Sequence, residues 1–137
     1  MDRIDLQIEV ESVPLGDLMG SRPPGESSAT IRARVVKARE VQSRRFKGLP
    51  GVYCNARMPE QELDEHCRMD NTAKRFLFRR LDDLQVSARS YSRILKVSRT
   101  IADLAGADRI EMEHAAEAVH FRGLDKPLEV EKKKKGM

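Results

Sequence analysis

The stretch "SARSYSRILKVSRTIADLAG", Ser87 to Gly106, decides the fold. It reads as one helix, with Ser87 as N-cap and Gly106 as the C-terminal stop. Tyr91, Ile94, Leu95, Ile101, Ala102 and Ala105 recur at helical spacing and form an apolar stripe. Such a stripe needs other helices to cover it. Arg89 falls in the first turn, where the helix dipole is already positive and a cation costs about 0.3–1 kcal/mol. An anion arriving at that turn would remove the conflict.

Outward from this helix, further helical segments appear on both sides. Asp70 caps "NTAKRFLFRRLDDL", with Ala73, Phe76, Leu77, Leu81 and Leu84 on one side. Pro59 suits the first helical position of "PEQELDEHC". On the far side, "EMEHAAEAVHFR" turns Met112, Ala115, Ala116 and Val119 inward. Upstream, Ser27 or Ser28 caps "ATIRARVVKAREVQSRRFK", whose apolar side is Ile31, Val35, Ala38, Val41 and Phe46. Its remainder is crowded with Arg32, Arg34, Lys37, Arg39, Arg44, Arg45 and Lys47. "GLPGVYCNARM" between these helices is expected to be a loop.

The N-terminus behaves differently. In "RIDLQIEV", Ile4, Leu6, Ile8 and Val10 alternate with Asp5, Gln7 and Glu9, a period of two. No comparable strand follows, so this one is an orphan that needs a sheet from elsewhere. A short helical turn from Val13 and the breaker Pro23-Pro24-Gly25 separate it from the helices. The expected architecture is a mostly α, small bundle of four to five helices preceded by one orphan β-strand. The expected divisions are a strand and linker over 1–26, poorly ordered without its sheet, a helical domain over 27–123, and a disordered basic tail over 124–137.

With 137 residues, 35% of them charged and 4% aromatic, the chain has material for one modest aliphatic core. Its net charge of +4 admits anionic partners, although the KKKK run at 132–135 alone accounts for that excess. Cys54 and Cys67 form no CxxC pair, and His66, His114 and His120 stand at no ligand spacing around them, so no metal site is expected. The three histidines are expected in surface or half-buried structural roles. Two reduced thiols and the lack of any long apolar run point to a cytoplasmic, non-membrane protein. There is no GxxxxGK[ST], HExxH or GxSxG. The adjacent pairs Asp64-Glu65 and Asp82-Asp83 diverge on a helix and cannot act together on one bond. No self-contained catalytic centre emerges.

Two stretches carry a resemblance. "SARSYSRILKVSRTIADLAGADRIEMEHAAEAVHFR" resembles the C-terminal helical segment of magnesium-chelatase-like AAA+ ATPases of the ComM competence-protein group. "DRIDLQIEVESVPLGDL", "GESSATIRARVVKARE" and "YCNARM" are similar to the sequence just upstream in the same proteins. The resemblance implies an AAA+ lid, the bundle that closes over nucleotide bound mainly by an upstream α/β domain. Residues 4–10 would be the last strand of that domain's sheet. Arg89 matches the sensor-2 arginine that reaches the γ-phosphate, and Arg3 matches an arginine finger aimed at a neighbouring subunit's nucleotide. ATP and Mg2+ would be cofactors of the longer protein, with none bound by this chain alone. The implied partners are the upstream ATPase domain, neighbouring subunits of a ring, and DNA. Arg93, Lys96 and Arg99 share the polar flank of the Arg89 helix and are expected to be solvated. A different class of reading is a stand-alone DNA-binding module using the basic helix 28–47 and the Lys tail. A third, a partner in inserting magnesium into a porphyrin, shares the implied fold.

Overall fold

The computed structural model describes residues 4–10 and 25–122. Arg3, the turn from Val13, Pro23 and Pro24 of the linker, and the basic tail lie outside the described residues. Among the described residues the architecture is five helices with short connections: α1 (Ser28–Arg45), α2 (Leu63–His66), α3 (Asn71–Asp83), α4 (Ala88–Leu104) and α5 (Met112–Phe121). The expected mostly α bundle is what the chain forms.

Three of these helices begin at side-chain caps. Ser27, Asp70 and Ser87 accept hydrogen bonds from the backbone N–H groups of Thr30, Ala73 and Ser90. α5 is capped differently, because His114 Nδ1 accepts from the Glu111 N–H at 3.0 Å. Gly106 ends α4 with φ +74°, a conformation that glycine adopts without penalty. The segment expected as a single helix from Pro59 splits into a 3-10 turn, Glu60–Glu62, followed by α2. A second 3-10 turn, Asn55–Arg57, interrupts the expected loop.

The core gathers α3, α4 and α5 around Leu77, Ile94, Ala102, Ile110, Ala115 and Ala118, none of which is exposed. A buried Leu or Ile side chain contributes about 1.5–3 kcal/mol. One isolated parallel bridge joins Met69 to Ile110. In it the Ile110 N–H donates to the Arg68 carbonyl at 2.8 Å, and the Asp70 N–H donates to the Ile110 carbonyl at 3.2 Å. This sets the start of α3 beside the start of α5.

Four expectations need correction. Residues 4–10 form no strand among the described residues, since no second strand is there to complete a ladder. Ile4, Leu6, Ile8 and Val10 remain 46 to 88% exposed. Ile31 and Val35 are also exposed: α1 has no buried residue before Ala38, so its first half meets no core. Ala105 and Met112 face outward. Arg99, expected in solvent, is 2% exposed.

Candidate functional site

Helical periodicity places Arg89, Ser92, Arg93 and Lys96 along one side of α4. They line a groove of about 490 Å³ with Asp5 and Leu6, Glu60 and Phe121. Arg89 is exposed at the first turn. Neither the Arg89 nor the Lys96 side chain has a hydrogen-bond or ion-pair partner among the described residues. The Ser87 cap takes up the Ser90 N–H and fixes where this turn begins.

Opposing charges in the groove are engaged. Arg93 Nη1 donates to Asp5 Oδ1 at 2.7 Å, and Arg122 Nη1 stands 3.9 Å from the same oxygen. Arg122 also donates to the Ile4 carbonyl and, at 3.1 Å, to Ser90 Oγ. The Gln7 N–H donates to the Phe121 carbonyl. Ser92 Oγ donates to Glu60 Oε2 at 2.8 Å. The two acids therefore already have partners, which leaves Arg89 and Lys96 as the uncommitted cations of this wall.

Behind the groove lies a polar knot that sequence reasoning missed. Asp103, 1% exposed in its side chain, accepts from both terminal nitrogens of Arg45 at 2.7 and 2.8 Å. Arg99 Nη2 reaches the same carboxylate at 3.1 Å. Asn55 Nδ2 donates to Asp103 at 2.9 Å and to Thr100 Oγ1 at 3.0 Å. Its own N–H donates to Gln42 Oε1 at 2.9 Å. Arg99 also donates to the Ala107 and Asp108 carbonyls at 2.7 and 2.9 Å. "YCNARM", distinctive in sequence, thus supplies a structural asparagine that ties the 3-10 turn to α1 and α4. The signal that could have found the knot is the Arg99–Asp103 spacing of one helical turn.

Burial pushes the Arg99 guanidinium below its ordinary value, opposed by Asp103. Burial likewise pushes the Cys67 thiol up to about 11, although Arg99 and Arg45 pull the other way. A thiol held protonated is a poor nucleophile and a poor metal ligand. His66 lies 3.3 Å from Glu62 and packs edge-on against Phe46, while its carbonyl accepts from Arg99 at 3.5 Å. His66 is half-buried as expected, whereas His114, which serves as a cap, is buried rather than at the surface. Among the described residues, Glu62–Glu65–His66 and Glu111–Glu113–His114 are the carboxylate–imidazole clusters, and neither lines the groove. No helix among the described residues is long and apolar enough to cross a membrane.

Comparison with known proteins places this fold. The family "Magnesium chelatase, subunit ChlI C-terminal" matches residues 25–122. Competence protein ComM of Haemophilus influenzae is 40% identical over 129 residues, covering 94% of this chain and 24% of that protein. YifB of Salmonella typhimurium is 41% identical over 128 residues, 93% of this chain and again 24% of the relative. Mb2921c of Mycobacterium bovis is 32% identical over 122 residues. The chain spans about a quarter of the length of these relatives. With a capped helical bundle coinciding with the matched region, the chain belongs to the magnesium chelatase, subunit ChlI C-terminal family.

Proposed function

We propose that this chain is the lid domain of an AAA+ ATPase, in which Arg89 contacts the γ-phosphate of ATP bound mainly by an upstream α/β domain. The observation that carries the reading is the exposure of Arg89, without a counter-ion among the described residues, at a capped helix start on a groove wall. A guanidinium beside free backbone N–H groups is a good double donor for phosphate oxygens. Lys96 adds charge about two helical turns further along. The groove's acids are committed to Arg93 and Ser92, so the described residues suit a phosphate and leave Mg2+ to residues upstream. When bound, the metal would supply charge neutralisation at the phosphates.

In this reading the lid closes on ATP and opens after hydrolysis, and a ring of such subunits passes the motion on to DNA or protein. Arg3 acts across the subunit boundary as a finger. Such arginines are worth about 10³–10⁵ in rate in other nucleotide hydrolases. Residues 4–10 complete the upstream sheet, which fits their alternating and uncovered apolar side.

The test is ATP turnover by the longer protein carrying Arg89→Ala. The expected result is at least about a tenfold loss of kcat with nucleotide still bound, because an interaction made in the transition state is removed. Unchanged kcat would remove Arg89 from the site. The 137-residue chain alone should show no turnover with Mg-ATP, and robust turnover would overturn the reading of a site built mainly elsewhere.

A further inference from the structure

On a different face of the bundle, Phe78 stands on the outer side of α3, 51% exposed, although that helix buries Ala73, Leu77 and Leu81 in regular order. Core packing does not account for it. Its ring stacks on Tyr91 of α4, with centroids 6.0 Å apart and planes inclined at 28°. The chain has only four Phe and two Tyr, so this pair is a large share of its aromatic surface. The two rings line a groove of about 380 Å³ together with Arg68, Lys74 and Arg109. All three cations are exposed, and none has an ion-pair partner among the described residues. Asp64 is the one acid on the rim.

We propose that this groove binds single-stranded nucleic acid, with a base stacked on Phe78 and backbone phosphates met by Lys74, Arg68 and Arg109. An exposed ring next to uncompensated cations fits a ligand that is flat at one point and anionic at the next. An acidic peptide would use the cations and gain nothing from the ring face. A duplex would present phosphates but keep its base faces covered. The basic side of α1 is a weaker candidate, because Arg34 is paired with Glu26, Arg45 belongs to the buried knot and no aromatic accompanies the rest.

The test is fluorescence anisotropy of a labelled oligo-dT of about 15 nucleotides, titrated with the full chain at low salt and then at rising salt. Single-stranded DNA should bind more tightly than a duplex of the same length. Phe78→Ala should weaken binding about tenfold. Lys74→Glu with Arg109→Glu should make the salt dependence shallower, by about 0.7 in log–log slope for each phosphate that is no longer neutralised. Replacing Lys132 to Lys135 by Ser should leave the Phe78→Ala ratio unchanged. Equal binding by parent and Phe78→Ala, equal affinity for duplex, or no binding at all would overturn the proposal. Competition by poly-glutamate as effective as by oligo-dT would assign the groove to an acidic protein segment instead. No ATP is present in this assay, so its outcome is separate from that of the Arg89 experiment.

Discussion

Arg89 and Arg99 sit on the same helix and have opposite fates. Arg89 faces the groove, exposed and uncommitted; Arg99 is 2% exposed and bonded to Asp103 and to the carbonyls of Ala107 and Asp108. Residue type does not separate them. Position on the helix does, since the chain folds back after Gly106 and presents carbonyl oxygens to one arginine only. The buried cation holds the bundle together, and the exposed one takes no part in holding it.

The contrast between them breaks most visibly at Asp103. Asp103→Ala leaves two guanidiniums without their shared carboxylate, at a cost of about 3–5 kcal/mol. Urea unfolding of the chain measures this, and a loss below about 1 kcal/mol would mean that solvent already serves the knot. The next effect is in pH. Cys67 is raised to about 11 from 9.0, so the folded state favours the neutral thiol and the unfolded state ionises first. Stability from this group is complete below pH 9 and is lost as pH rises towards 11, by about 2–3 kcal/mol. Thermal melts across that range should fall for the parent chain and fall less for Cys67→Ala. The smallest effect sharpens the contrast: Arg89→Ala should change stability by less than about 0.5 kcal/mol in the same urea assay. A larger loss would make Arg89 a structural cation like Arg99.

Much of the bundle was legible in the sequence because caps and periodicity are local. Ser27, Asp70, Ser87 and Gly106 mark helix ends through their own hydrogen bonds or backbone freedom, and each stands where the pattern places it. Periodicity gave the inward sides of α3 and most of α4, including Leu77, Leu81, Ile94 and Ala102. It misled at Ile31 and Val35, because an apolar stripe says that a side can be covered, not that a neighbour is present. Asn55 was not legible, since Gln42, Thr100 and Asp103 meet it only from remote segments. Arg99 had its signal in Asp103 one turn on, but the Ala107 and Asp108 carbonyls that receive it arrive only when the chain folds back. A charged residue whose neutralising groups arrive only through tertiary folding looks like any solvated charge in one dimension. For the groove, Arg89 was legible as an oddity of helix electrostatics. The committed acids Asp5 and Glu60 were not.

The first half of α1 has one further consequence. Residues 28–37 bury nothing among the described residues, while Ala38, Gln42 and Phe46 grip the bundle. A helix clamped at one end and free over about 15 Å is a lever arm. A tilt of about 10° at Ala38 carries Ser28 through roughly 2–3 Å, given the rise of about 1.5 Å per residue. Gln42 and Arg45 reach Asn55 and Asp103 from the clamped end, so any such tilt also loads the knot behind the Arg89 groove.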